Sequence, residues 1–158
     1  MVKDSKKRNM FVRIMFVVYA IAMAYFLFFR HGFNVGGTYW EHISMSINIV
    51  PFYTIRQNLH LILKQSNPYL VPHAIINLLG NIIGFIPFGI LLPILLKRAR
   101  AFKRFFFYAI SSIALIELIQ LFTLRGSCDI DDLILNMLGS LIGYMMNHFT
   151  KLTAYFGD

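Results

Sequence analysis

Four long apolar stretches, divided by clusters of charge, organise this sequence. Residues 11–29 run almost without a polar break, and residues 74–96 and 105–124 repeat the pattern. Each approaches the roughly 20 apolar residues that carry a helix across the hydrocarbon core of a bilayer. A fourth stretch, 130–149, opens on acidic residues, yet from Leu133 to Met146 its polar positions are only Asn136, Ser140 and Tyr144. The pattern predicts an all-α membrane protein: four transmembrane helices forming one integral domain over residues 1–158.

The first stretch invites comparison with a cleaved signal peptide, since Lys3, Lys6, Lys7 and Arg8 precede it. Its apolar run exceeds the usual ~7–15 residues of such a signal. Ala20, Ala22 and Ala24 lead into further apolar sequence, not into a polar cleavage zone. A retained anchor is the better reading, with Arg13 close enough to its end to snorkel.

The segment between the first two spans has its own pattern. Gly36 and Gly37 mark a turn, and Tyr39 and Trp40 suit an interfacial aromatic belt. Ile55, Leu59, Ile62 and Leu63 recur at helical spacing opposite Arg56, Gln57, His60 and Lys64. This predicts a short amphipathic helix lying in the membrane surface and ending before Pro68.

Composition agrees. Hydrophobic residues make up 58% of the chain and charged residues 14%, against about a quarter charged in soluble domains. The formal net charge of +8 would suggest nucleic acid on a soluble protein. Here the basic residues flank apolar stretches, as topology signals and anionic-lipid contacts do, and no nucleic-acid reading motif accompanies them. With both termini inside, the cytoplasmic side holds eleven Lys and Arg residues, five of them between Lys97 and Arg104, and the outer side holds Arg30, Arg56, Lys64 and Arg125. That bias places both termini in the cytoplasm. Cys128, the single cysteine, excludes an intrachain disulfide and any multi-cysteine metal site.

The candidate chemistry lies in the polar residues within the spans. Glu117, Asp129, Asp131 and Asp132 are four of the seven acidic residues. A carboxylate at the bilayer centre costs roughly 2.5–3.5 kcal/mol on insertion scales, so Glu117 needs a partner. Gln120 follows on the same helical face. On the fourth span Asp132, Asn136, Ser140 and Gly143 form one stripe, and His73, Asn77, Asn81 and Gly84 form another on the second. At 1.5 Å of rise per residue, Asn81, Glu117 and Asn136 all fall about 10 Å below the outer surface. Three helices thus offer polar groups at one depth, predicting an outward-facing cup of amides and carboxylates, with Arg125 as its neutralising cation. Gly80 with Gly84 and Gly139 with Gly143 predict close packing of these helices. Pro87 predicts a kink in the second span, and Pro93 stands near its end. Simpler roles compete: interhelical hydrogen bonds for Asn77, Asn81 and Asn136, and capping of the fourth helix by Asp131 and Asp132. His31, His42, His60 and His73 lack ligand spacing.

An ordered set of motifs adds a resemblance. Asn48-Ile-Val-Pro-Phe-Tyr-Thr-Ile55 precedes Asn77-Leu-Leu-Gly-Asn-Ile-Ile-Gly-Phe-Ile-Pro-Phe-Gly-Ile-Leu-Leu-Pro93; Glu117-Leu-Ile-Gln120, Asp129-Ile-Asp-Asp-Leu-Ile-Leu-Asn136, Gly139 and Gly143 follow. From about residue 48 to 144 the chain resembles the VanZ-like family of bacterial membrane proteins. The resemblance implies a multi-pass protein of the bacterial cytoplasmic membrane. It also implies a cell-envelope setting, the family's named member being associated with resistance to teicoplanin, a lipoglycopeptide that binds wall precursors outside the membrane.

The leading expectation is therefore a non-enzymatic envelope protein whose cup binds a lipid-linked wall precursor or a lipidated glycopeptide. The alternative is a membrane hydrolase or transferase in which Glu117, Asp129, Asp131 and Asp132 hold a divalent cation against a lipid-linked phosphate. No zinc-binding, nucleophile-elbow or P-loop signature accompanies those acids, and no other cofactor is expected. A small transporter using Glu117, or a partner-binding role through the glycine faces, is a further alternative; oligomeric state stays open.

Overall fold

The structure, a computed structural model, describes residues 2–29, 38–64 and 67–156. Gly36, Gly37, Arg30 and His31 lie outside them. The described chain is helical apart from one short bridge: α1 Val2–Phe29, α2 Tyr39–Met45, β1 Ile47–Asn48, α3 Tyr53–Lys64, α4 Leu70–Leu95, a 3-10 turn Lys97–Arg100, α5 Phe102–Phe122, β2 Cys128–Asp129, α6 Ile130–Thr150 and α7 Leu152–Phe156. Among the described residues, α1, α4 and α5 contain stretches long and apolar enough to cross a membrane. α6 has the length, 21 residues, but carries its polar residues along the stretch.

α6 owes its place to glycine. Side chains on α6 would hold it away from α4, but a Cβ at Gly139 would lie 2.0 Å from the Ile82 carbonyl oxygen, and one at Gly143 would lie 2.0 Å from that of Ile86. Gly89 of α4 is equally tight against the Ser140 carbonyl oxygen, 2.0 Å from its would-be Cβ. The backbones therefore meet directly, as small residues permit within membranes. Gly80 and Gly84 are not part of this seam. They face α1, where added carbons would meet the Phe26 ring at 3.4 Å and the Met23 methyl at 3.2 Å. Gly80 is two residues from Ile82, about 200° around the helix.

The core lies where α5 closes over this pair. Phe85 of α4, Phe105, Ala109 and Ile113 of α5, and Met137 of α6 are buried together, with the Phe105 and Tyr144 rings 4.3 Å apart. A second cluster joins Val12 of α1 to Leu91 and Ile94 of α4, with Leu152 and Phe156 of α7 against it. The Arg8 guanidinium lies 5.1 Å from the centre of the Tyr155 ring. The start of α1 and the helix α7 thus share one end of the bundle. Outward faces stay apolar: Val18, Ile21, Ile83, Leu115 and Ile119 are all exposed. A surface of that kind is solvated by lipid, not water.

α4 runs through both Pro87 and Pro93 to Leu95. A proline inside a helix opens the preceding turn of backbone hydrogen bonds, and in a membrane neighbouring groups must satisfy it. Tyr19 of α1 donates to the Gly84 carbonyl at 2.9 Å, and Asn147 of α6 donates to the Ile90 carbonyl at 2.6 Å. Each of these acceptors stands three residues before a proline.

Candidate functional site

The polar residues concentrate at the end opposite α7, where α2, α3 and the β bridge sit. The first of these has a local cause. Thr38 and Glu41 form a capping box that starts α2, with the Thr38 amide donating to Glu41 at 2.7 Å. Tyr39 then donates to the Phe122 carbonyl at 3.0 Å, tying α2 to the end of α5. After α2, Ile47 and Asn48 pair in parallel with Cys128 and Asp129. This bridge carries the Asn48–Ile55 motif onto the Asp129–Asn136 motif.

Asp129 and Asp131 hold that junction. Asp129 caps its own helix by accepting from the Asp131 amide at 2.8 Å. It also accepts from Asn48 Nδ2 at 3.2 Å and from Thr54 Oγ1 at 2.5 Å. Asp131 reaches across to the start of α3, where one oxygen accepts from the Phe52 amide at 2.5 Å and the other from the Ile55 amide at 3.0 Å. A carboxylate at a helix N-terminus satisfies orphan amides and complements the helix dipole. The helix it serves is α3, not α6. Phe52 adopts a left-handed backbone, φ 63°, at the turn that aims both amides. Both carboxylates are buried.

Glu117 and Asn136 form a second, deeper pair, Asn136 Nδ2 donating to Glu117 Oε1 at 3.2 Å. Both side chains are buried, and Glu117 Oε2 and Asn136 Oδ1 have no hydrogen-bond partner among the described residues. Gln120, one turn along α5, is also buried and donates to the Leu27 carbonyl of α1 at 3.1 Å.

Asn77, Asn81 and Asp132 are different in kind because they are only half-buried. Asn81 Nδ2 donates to Asp132 Oδ1 at 2.5 Å, and the Asn77 amide stands beside the same carboxylate. Asn77 Oδ1 in turn accepts from Asn58 of α3 at 2.9 Å. These residues link α4, α6 and α3 into one partly open rim. Asn81 therefore pairs with Asp132 and not with Glu117 or Asn136, although the three share a depth. Arg125 lies in the turn after α5, its backbone amide donating to the Gln120 carbonyl at 3.0 Å.

α3 presents Thr54, Ile55 and Asn58 toward the bundle and leaves Leu59 and Leu63 exposed. A groove of about 590 Å³ follows its other face, lined by Tyr53, Arg56, Gln57, His60 and Leu61. Among the described residues no three His, Cys, Asp or Glu side chains are gathered as a metal ion would need. The oxygens of Asp129 and Asp131 are already engaged by protein donors. On β2, burial and then the Glu117 and Asp129 charges push the Cys128 thiol up, which keeps it protonated and unreactive.

Two features went unremarked in the sequence. Asn147 is buried, and besides its bond to Ile90 it accepts from the amide and hydroxyl of Thr153 at 3.0 and 2.6 Å. It extends the Asn136, Ser140, Gly143 stripe by one more step of four. Gly89 had no glycine partner four residues away to announce it.

A helical bundle with lipid-facing apolar surfaces, glycine-tight central helices and an internal layer of amides and carboxylates defines an integral membrane protein with a polar site at one end. The chain matches the VanZ/LLP1 family over residues 16–151, and it belongs to that family. It is similar to Protein VanZ of Enterococcus faecium, with 27% identity over 131 residues covering 83% of this chain and 70% of that one. No solved structure matches it.

Proposed function

We propose that this chain is a cell-envelope protein that crosses the bacterial cytoplasmic membrane four times, through α1, α4, α5 and α6, with both termini in the cytoplasm. On this reading the rim formed by Asn77, Asn81 and Asp132 binds amide or sugar groups of a lipid-linked wall precursor or a lipidated glycopeptide, without turnover. Several observations support the topology. α6 is 21 residues long, about 30 Å of helix and enough for the hydrocarbon core. It turns Asn136, Ser140 and Asn147 inward while Leu138, Met145 and Phe149 face out. The shared end of α1 and α7 suits termini on one side, and the Lys and Arg bias names that side. Exposed Leu59 and Leu63 suit an α3 resting on the outer membrane surface.

The observation that carries the binding role is the contrast among the four carboxylates. Glu117, Asp129 and Asp131 are buried, whereas Asp132 is half-buried and presented with two amides. Such a set offers acceptors and donors to peptide amides and sugar hydroxyls. The family resemblance supplies the envelope context.

The test is teicoplanin and vancomycin susceptibility in a Gram-positive host expressing wild type or Asp132→Asn at matched membrane levels. Selective teicoplanin protection by the wild type, lost in the variant, is the expected result. Full protection by Asp132→Asn would remove the rim from the function.

A further inference from the structure

The end of the bundle near α7 carries a second concave site, chemically the reverse of the first. A groove of about 420 Å³ is lined by Pro93, Arg100, Tyr144, Asn147, His148, Lys151, Thr153 and Ala154. Its floor is rigid. Buried Asn147 joins α4 to α7 through its bonds to Ile90 and Thr153, and Tyr144 fixes the 3-10 turn by donating to the Arg100 carbonyl at 2.8 Å. Its rim holds the exposed side chains of Arg100, His148 and Lys151. Lys151 is set there by the left-handed turn, φ 55°, that separates α6 from α7. Lys97, Arg98, Lys103 and Arg104 stand on the adjoining turn and helix start, all exposed.

We propose that this groove is a binding site for a phosphate-bearing anion, the headgroup of an anionic phospholipid at the membrane surface. A guanidinium and an ammonium on opposite elements, with an imidazole between them in sequence, can clamp phosphate oxygens from two sides. Arg100 closes the 3-10 turn between α4 and α5, and Lys151 follows the end of α6, so both lie where the helices leave the apolar layer. Basic pockets between helix ends bind lipid phosphates for these reasons. This groove is cationic where the opposite rim is lined by a carboxylate and two amides, and the two lie at opposite ends of the bundle, so the site is independent of the one proposed above.

Native mass spectrometry of the purified full-length protein tests this, with phosphatidylglycerol and, separately, inorganic phosphate as probes. The variants are Arg100→Gln with Lys151→Gln, and, as a charge-matched control beside the groove, Lys103→Gln with Arg104→Gln. The groove pair is expected to weaken phosphatidylglycerol binding at least about tenfold, and the control pair by about twofold or less, because surface charge alone acts diffusely. Binding of the lipid but not of inorganic phosphate identifies the headgroup as the occupant. Binding of inorganic phosphate with the same loss in the groove pair keeps the phosphate site and makes its occupant a soluble phosphoester. Equal losses in the two pairs, or none in either, would overturn the proposal.

Discussion

Asp131 offers the sharpest separation of a structural acid from a ligand-facing one. Its carboxylate is fully buried, and its two oxygens accept from the Phe52 and Ile55 amides at 2.5 and 3.0 Å. Asp131→Asn keeps the volume and one acceptor, but turns the other oxygen into an amide group facing an N–H donor. Hydrogen bonds to a charged group contribute roughly 1.5–3 kcal/mol each. One is lost and the other loses its charge; because Phe52 is exposed and water can replace part of the loss, the net cost is about 2–4 kcal/mol. That cost falls on the docking of α3. Hydrogen exchange of the Ile55 amide in the detergent-solubilised protein should therefore accelerate by roughly thirtyfold to several hundredfold. Asp132→Asn, which bonds side chains and not the α3 amides, should leave that exchange unchanged. Unaltered Ile55 protection in Asp131→Asn would refute the account of how α3 is held.

Other perturbations probe the remaining joints. Gly143→Ala places a carbon 2.0 Å from the Ile86 carbonyl oxygen, so α4 and α6 must part, at a cost of about 1–3 kcal/mol; thermal unfolding in detergent reads this as a lowered midpoint. Gly80→Ala meets nothing nearer than the Phe26 ring at 3.4 Å and should leave that midpoint nearly unmoved. Asn147→Ala removes the partners of Ile90 and Thr153 and should expose α7 to limited proteolysis near residue 151, while α3 stays protected. Tyr19→Phe withdraws the donor to the Gly84 carbonyl and should cost only about 0.6 kcal/mol, the usual worth of a hydrogen bond between membrane helices; a loss several times larger would mean that the turn before Pro87 depends on it.

What could be read from the sequence follows from the range of each signal. Apolar runs, amphipathic spacing and glycine pairs are local, so α1, α4, α5 and the extent of α3 were legible. Capping across space was not. The Asp129-Ile-Asp-Asp run announces a helix N-terminus, but which helix each acid serves depends on the bridge from Ile47–Asn48 to Cys128–Asp129, set by residues some eighty positions apart. The residues alone leave Asp131 and Asp132 between capping α6 and lining the cup, whereas the cap of α6 is Asp129. The capping box at Thr38 and Glu41 was present in the residues, although beside Tyr39 and Trp40 it read as an interfacial belt and not as the start of α2. Glycine spacing identified the α6 half of the central seam; the α4 half is Ile82, Ile86 and Gly89, which a search for paired glycines passes over. Depth along the bilayer grouped Asn81 with Glu117 and Asn136, whereas rotation about the helix axis decides that Asn81 meets Asp132.

The central claim is that Asp132 faces a ligand while the acids around it support the fold. Equilibrium binding of teicoplanin, and of a lipid-linked wall precursor, to the purified protein in lipid nanodiscs tests it directly, with wild type beside Asp132→Asn. The account predicts saturable binding of at least one of the two to the wild type. Asp132→Asn should lose that binding while keeping wild-type Ile55 protection. Equal binding by both proteins, or binding by neither, would contradict it.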